Sequence, residues 1–353
     1  MNKIIYEDID NIISEKISYE NFFGKTVLIS GANGYVPAYF VHTFIALNDK
    51  RDAGIKILAL CRNRERAVER FSDYIERDDF ELIIQDVCEP IDVNVPIHIF
   101  IHAASPAGIE KRHENPVNTF LANVIGAENM LNLAIKKPCE YFLFLSSVDV
   151  YGKMEDNERL TEDKSGYIDH LNVRNAYSCG KRAAESLCKA YQVQYNLPVY
   201  IVRPFQIIGP GVDLNDGRLH IDFISQIIEK EKIVLKSDGT AIRTFMYITD
   251  AIKAMFYVML YGNPGEAVNI VAEKGEASVK ELANLMAANV VDKNIEVVFD
   301  YEKRTTIEVT EALSVVTGAS TKITGLGWKN QYSVLEGTAR MMEYYGIRTG
   351  RKG

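Results

Sequence analysis

Only five cysteines are spread through the 353 residues, at Cys61, Cys88, Cys139, Cys179 and Cys188, and no two stand in a CxxC pair. That spacing offers neither a zinc ribbon nor an even disulfide framework, so no metal site is expected and a reducing, cytoplasmic setting is. No apolar run approaches the roughly 18 residues that a membrane span needs. Ala59-Leu60-Cys61 passes at once into Arg62-Asn63-Arg64, and Phe142-Leu143-Phe144-Leu145 is only strand-sized. Residues 1–24 carry Glu7, Asp8, Asp10 and Glu15 and lack the unbroken apolar centre of a signal peptide. Nor is there an excess of positive charge. With 40 Lys and Arg against 48 Asp and Glu, the net charge is −8, which argues against a broad nucleic-acid footprint. A single small anion in a local basic pocket remains compatible with it. Repeats, low-complexity tracts and Pro/Ser-rich linkers are absent too. The partner these absences leave is a small molecule, with no nucleic acid and no membrane.

What is present is a rhythm. Short apolar strands alternate with helical stretches, the α/β pattern of a doubly wound parallel sheet covered on both faces. Strands are expected at Thr26–Ser30, Ile55–Leu60, Leu82–Ile84, Ile97–Ile101, Tyr141–Leu145 and Val199–Val202. Helices are expected over Gly34–Leu47, Arg64–Ile75, Val117–Ile135 and Tyr177–Tyr195. After Pro204 the rhythm changes to loops such as Gly209-Pro210-Gly211 and Asn215-Asp216-Gly217 with shorter elements. The expected division is a helical extension over 1–24, a nucleotide-binding domain over 25–204 and a smaller lobe over 205–353, with chain crossings between the lobes allowed. In the extension, Ile4, Ile5, Ile9, Ile12 and Ile13 form one apolar stripe, the mark of a packed helix. Trp328 is expected in the core.

Gly31-Ala32-Asn33-Gly34-Tyr35-Val36-Pro37 sits between the first strand and its helix. Glycines there let the backbone approach a diphosphate, whose charge is stabilised by the N–H groups of the following helix. The end of the second strand, Cys61-Arg62-Asn63-Arg64, has no acid for a ribose 2′-hydroxyl. Arg62 leans towards a 2′-phosphate, and so towards NADP, unless it merely opens a solvated helix. Asp86-Val87, after the third strand, either reaches the adenine or serves as turn chemistry. Tyr177 and Lys181 stand four apart, on one face of a helix. An ammonium beside a phenol favours the phenolate and lowers its pKa from about 10, which makes Tyr177 a general base for a hydroxyl being oxidised. Ser146-Ser147 end the preceding strand, placed to hydrogen-bond the same oxygen.

In this order the motifs resemble the extended short-chain dehydrogenase/reductases of the nucleotide-sugar epimerase/dehydratase group. The matching pieces are Gly31–Gly34, Ile101-His102-Ala103-Ala104-Ser105, Asn123-Val124-Ile125-Gly126, Leu145–Gly152, Tyr177 with Lys181, Arg203-Pro204, Arg243–Asp250 and Leu326-Gly327-Trp328. Within the group, Ala104-Ser105-Pro106-Ala107, Asn115-Pro116, Gly180-Lys181-Arg182 and Asn215-Asp216-Gly217-Arg218 are similar to UDP-glucuronate decarboxylases. The resemblance implies a Rossmann domain with a smaller C-terminal α/β lobe for the sugar nucleotide, a tightly held and recycled NAD(P)+, and a homodimer built from the helices around Val117–Ile135 and Tyr177–Tyr195. It implies Tyr177, Lys181 and Ser147 as catalytic residues, and Ala103, Ala104, Ser105, Asn123 and Ser146 among those at the cofactor. Ser105, Gln206, Arg218 and Arg243 are implied for the substrate, with Arg243 on its diphosphate.

Asp149 is the departure. The group's decarboxylases and 4,6-dehydratases commonly carry Glu at the matching position, and Asp reaches about one methylene less far. Val148 stands where dTDP-glucose dehydratases have an acid, and an apolar side chain has no proton to give a leaving 6-hydroxyl. The leading expectation is decarboxylation of a UDP-hexuronate through a 4-keto sugar, with Asp149 as the second catalytic group. A 4-epimerase, a 4,6-dehydratase and an NADPH-dependent 4-ketosugar reductase stand as rivals, and a non-catalytic NAD(P) sensor as an outsider.

Overall fold

The computed structural model describes residues 1–106, 108–155, 158–300 and 315–350, the side chains of 109–111 excepted; Ala107, quoted above in one motif, lies outside them. Helix α1 spans Lys3–Ile13 and is followed by β1 Thr26–Ser30, α2 Tyr35–Arg51, β2 Lys56–Cys61, α3 Arg64–Arg70 and β3 Phe80–Ile84. Next come β4 Ile99–His102, α4 Ile109–Glu114, α5 Pro116–Ala134, β5 Tyr141–Leu145, α6 Ala176–Tyr195, β6 Val199–Pro204 and β7 Gln206–Ile208. The remainder is α7 Leu219–Lys230, β8 Lys232–Leu235, β9 Ile242–Tyr247, α8 Ile248–Tyr261, β10 Ala267–Ile270, β11 Glu276–Ser278, α9 Val279–Asn289, β12 Glu296–Phe299, β13 Val315–Val316, α10 Thr321–Gly325 and α11 Val334–Tyr344.

Seven strands form one sheet in the order β10-β6-β5-β4-β1-β2-β3, every neighbouring pair parallel. It is the doubly wound Rossmann arrangement expected. Alternate side chains feed two cores: Val27 and Ile29 of β1 with Ile99 and Ile101 of β4 face one, Leu28 and Phe100 the other. Both faces are therefore apolar, which is why these strands read as unbroken hydrophobic runs. Strand order reverses at β1, between β2 and β4, and a crevice opens there at the carboxyl ends. The sheet also takes β10 from beyond residue 204, so the chain returns to it after building β7–β9. The C-terminal part has its own strands: β9 pairs with β7, β11 and β13, and β8 with β12.

Most elements fall within two residues of their expected bounds. The exceptions are α2, which runs on past Leu47 to Arg51, and α3, which ends at Arg70 instead of running to Ile75. After α3, Phe71 and Tyr74 turn inward and pack their rings at 5.4 and 5.9 Å from Phe80. Trp328 is core, and its indole N–H donates to the Asp250 carbonyl at 3.1 Å. Helix α1 buries Ile5, Ile9, Ile12 and Ile13 as the stripe predicts, each worth about 1.5–3 kcal/mol. On the same face Asp8 is fully buried and accepts hydrogen bonds from Tyr39 at 3.3 Å, Tyr247 at 2.7 Å and Arg340 at 2.7 and 3.0 Å. One carboxylate so joins α1 to α2, β9 and α11. Among the described residues no helix is long and apolar enough to cross a membrane.

Candidate active site

A cleft of about 1320 Å³ opens at the carboxyl ends of the sheet. The β1–α2 loop brings Gly31, Asn33, Gly34, Tyr35 and Val36 to its wall. Gly31 has φ +65°, and a Cβ there would stand 2.7 Å from the Ala104 Cα, so only glycine lets the two loops close on each other. Gly34 caps α2 without a side chain to cover the first turn of N–H groups. Arg62, Asp86, Val87, Ala103, Ala104, Ser105 and Ser146 continue the wall. Arg62 stands 3.8 Å from an Asp86 oxygen, and Asp86 also accepts from the Cys88 N–H at 2.9 Å. The Tyr35 hydroxyl and the Ser105 Oγ are buried without a hydrogen-bond partner. A glycine-backed helix N-terminus beside two unpartnered donors suits a dinucleotide diphosphate.

The expected catalytic residues meet where β5 approaches α6. Tyr177 and Lys181 share one face of α6, the Lys181 Nζ 5.8 Å from the Tyr177 ring centroid. Lys181 donates to the Leu145 carbonyl at 2.6 Å, and burial, helped by the charge of Arg112, lowers its pKa to about 7. The Tyr177 pKa moves up, not down as expected. Burial outweighs the Arg112 guanidinium and the Ser147 contact that favour the phenolate, and the Lys181 charge is directed at a backbone carbonyl. Ser147 starts the short 3₁₀ turn Val148–Tyr151, its Oγ accepting from the Asp149 N–H at 3.1 Å. That turn carries Asp149 to the cleft, where one oxygen lies 3.8 Å from Arg112. The Arg112 guanidinium itself sits 3.7 Å from the Tyr177 ring centroid.

The model of the NAD dependent epimerase/dehydratase family matches residues 27–271. The chain belongs to this family. Among curated relatives, UDP-glucuronic acid decarboxylase 6 of Arabidopsis thaliana is 30% identical over 92% of this chain and 90% of its own length. The solved UDP-glucose 4-epimerase of Thermotoga maritima, with UDP-glucose, superposes with a TM-score of 0.76 at 20% identity, over 91% of this chain and 98% of that one. The UDP-glucuronic acid 4-epimerase of Bacillus cereus, with UDP-glucuronic acid and NAD, gives 0.72 at 17% identity, over 91% and 99%. Like its relatives in the epimerase/dehydratase family, the chain is an NAD(P)-dependent enzyme.

For a member of the epimerase/dehydratase family, the structure gathers most of the expected residues into one cleft. Gln206 and Arg218 line it, Arg218 paired with Asp216 at 2.8 Å and lying 5.6 Å from the Tyr35 ring. Asn123 and Arg243 stand apart. Asn123 is buried in α5, donates to the Thr119 carbonyl at 2.7 Å and packs behind Gly180, which seats α5 on α6. Arg243 is not among the lining residues; it donates to the Ile242 carbonyl at 2.8 Å, and burial lowers its pKa while the charge of Asp149 raises it. Ser146 is tied to Glu185, whose carboxylate also grips Arg203 at 2.7 and 3.0 Å. His102 packs, as a buried imidazole after a core strand should: its Nδ1 meets the Ser30 Oγ at 2.7 Å, its ring stacks on Phe144, and burial lowers its pKa to about 3.

Sequence reasoning missed Arg112 and Glu185. Glu185 is four residues after Lys181 and so one turn along the same helix face, a signal that was open to use. No periodicity or motif marks Arg112.

Proposed function

We propose that this chain removes the carboxylate of a UDP-hexuronate, working through a 4-keto sugar. The observation that carries the reading is a carboxylic acid, Asp149, in the same cleft as Tyr177, Lys181 and Ser147 and 3.8 Å from the arginine that lies on the Tyr177 ring. It is supported by decarboxylases being curated relatives over nine-tenths of the chain. In this reading residues 25–204 hold the cofactor, 205–353 the sugar nucleotide, and 1–24 brace the two. Gly31, Asn33, Gly34, Tyr35, Val36, Arg62, Asp86, Val87 and Ala103–Ser105 would hold the dinucleotide, and Gln206, Arg218 and Ser105 the substrate. A bound NAD(P)+ supplies a reversible hydride acceptor at carbon 4 of the sugar.

Tyr177 takes the proton of the 4-hydroxyl, which Ser147 orients. Arg112, over the ring, and the Ser147 hydroxyl favour the charged phenol against the cost of burial. Lys181, with its pKa near 7, holds or releases a proton at working pH, as a partner in that transfer needs to. The ketone formed lies beta to the sugar carboxylate, so the electron pair of the breaking carbon–carbon bond passes into the carbonyl. Carbon 5 then takes a proton from water on the side that Asp149 faces. Tyr177 returns its proton to the carbon-4 oxygen as the ketone is reduced back to the alcohol by the recycled hydride. Val148 is apolar and buried, which disfavours loss of a 6-hydroxyl.

A second reading, 4-epimerisation, is favoured by the shortness of Asp149 and its engagement with Arg112. Incubation with UDP-glucuronate, UDP-glucose, UDP-GlcNAc, dTDP-glucose and GDP-mannose separates the two. Loss of the mass of carbon dioxide from UDP-glucuronate is expected; an unchanged mass with a new epimer by NMR transfers the assignment to epimerisation.

The assembly we propose is a cytoplasmic homodimer through α5 and α6. These helices pack side by side and leave Val117, Phe120, Leu121, Val193 and Tyr195 exposed, an apolar set that a second copy would cover. All five cysteines are free thiols, in keeping with a reducing compartment.

A further inference from the structure

Arg112 stands between the two groups that face carbons 4 and 5 of the sugar in the reading above, on which this inference rests. Its Nε donates to the Pro106 carbonyl at 3.1 Å, which fixes the plane of the guanidinium on the Tyr177 ring. Among the described residues its terminal nitrogens make no hydrogen bond; the Asp149 oxygen at 3.8 Å is an ion-pair contact only. Of the other candidate arginines, Arg218 pairs with Asp216, and Arg243, though it feels the charge of Asp149, donates to the Ile242 carbonyl and is not among the residues lining the cleft.

We propose that Arg112 is the specificity-determining cation of the cleft, selecting a sugar with a carboxylate at carbon 5 over one with a neutral hydroxymethyl group. Carbon 5 is bonded to carbon 4. A 4-hydroxyl on the Tyr177 oxygen therefore puts the carbon-5 substituent on the side of Asp149 and Arg112. Without the guanidinium, a uronate would meet Asp149 as one negative charge meeting another, and binding would be penalised. With it, the two carboxylates share one cation, whose free edge offers paired N–H donors to a planar anion. A hydroxymethyl group gains neither effect. The contact was not legible from the sequence because α4 reaches Tyr177 and Asp149 only through the fold.

The test uses the full chain with its co-purified cofactor and a Tyr177→Phe background, which stops turnover and keeps the ring beneath Arg112. Calorimetry then compares UDP-glucuronate with UDP-glucose. Adding Arg112→Gln is expected to weaken UDP-glucuronate roughly 30-fold, the loss of a charge-assisted pair, while UDP-glucose stays within about threefold. Arg112→Lys, which keeps the charge and loses the fork, should fall between. Unchanged UDP-glucose binding shows that the fold and the nucleotide site survive. Equal losses for both sugars, or no loss for UDP-glucuronate, would overturn the inference while leaving the nucleotide-sugar reading in place. Tight, Arg112-dependent binding of UDP-glucuronate without release of carbon dioxide by the unmutated chain would sustain the inference and remove the decarboxylase reading. Failure to bind either sugar overturns both.

Discussion

Two buried charged clusters in this molecule solve opposite problems. At the junction of α1 with α2, β9 and α11, Asp8 has four hydrogen-bond contacts from three side chains, and its charge is matched by Arg340. At the cleft, Lys181 is as deeply buried but spends its ammonium on a single carbonyl, and Tyr35 and Ser105 keep polar atoms without partners. The first cluster is closed upon itself and holds elements together. The second is left chemically open, so its groups have shifted pKa values and hydrogen-bonding capacity that serve a ligand. Stability and activity should therefore respond to different residues, and substitutions in each cluster can break that division or sharpen it.

The largest effect belongs to the cleft. Tyr177→Phe is expected to lower kcat/KM by about 10³-fold or more and to change unfolding free energy by less than about 1 kcal/mol, since the hydroxyl is not part of a closed network. Product formation and urea unfolding of the same preparation check both halves. Next is Asp8→Ala, which takes from the buried Arg340 its closest carboxylate, leaving it Glu7 at 3.2 Å, and should destabilise by about 3 kcal/mol. Turnover at low temperature should survive in whatever fraction remains folded. Asp8→Ala protein that unfolds like the parent would show that Glu7 and water already balance the Arg340 charge, and the contrast between the clusters would collapse.

How much of this was readable from the chain follows the same division. The cleft motifs are local: glycines beside a strand end, a Tyr and a Lys one turn apart, a serine at a strand end. Spacing alone places them on the right elements. The sheet is legible because both of its faces are buried and its strands carry unbroken apolar runs. The isoleucine stripe announced α1, but nothing singled out Asp8 from Glu7, Asp10 and Glu15, because Tyr247 and Arg340 are 239 and 332 residues away. Arg112 was hidden for the same reason. The direction of the Tyr177 shift was misjudged because the helix spacing of Tyr and Lys says nothing about burial, which here exceeds the attraction of nearby charges.

A smaller effect sharpens the comparison by reversing its sign. Lys181 has its pKa lowered to about 7, so between pH 7 and 10.5 the unfolded chain holds a proton that the native state has shed. Stability from this group is therefore gained as pH rises through that window, with a slope approaching 1.4 kcal/mol per pH unit, roughly, and the cost is greatest below pH 7. Lys181→Met should remove that slope, raise stability by about 1 kcal/mol at pH 6, and lower turnover by roughly 10²-fold. Unfolding curves of parent and variant from pH 6 to 10 check the sign; a destabilised Met variant at pH 6 would mean that the Leu145 hydrogen bond outweighs the burial of charge.

The smallest effect on stability is expected at the edge of the cleft. Arg62 and Asp86 are 3.8 Å apart and their side chains are 67% and 37% exposed, so water and salt screen the pair. Such pairs contribute about 0–1 kcal/mol, and Arg62→Ala should leave the unfolding midpoint nearly unchanged. Its expected effect is on the cofactor, from its place at the end of β2, the strand next to the diphosphate loop, with no acid there to accept from a ribose 2′-hydroxyl. A guanidinium at that point favours a 2′-phosphate. Fluorescence titration of cofactor-stripped protein should show NADP+ weakened about tenfold by Arg62→Ala and NAD+ little changed, a loss in the range of a charge-assisted hydrogen bond. Equal affinity of the two cofactors in the parent, unmoved by the substitution, would make Arg62 only the solvated start of α3. It would also place this arginine with neither cluster: too exposed to hold the fold, and without effect on the ligand.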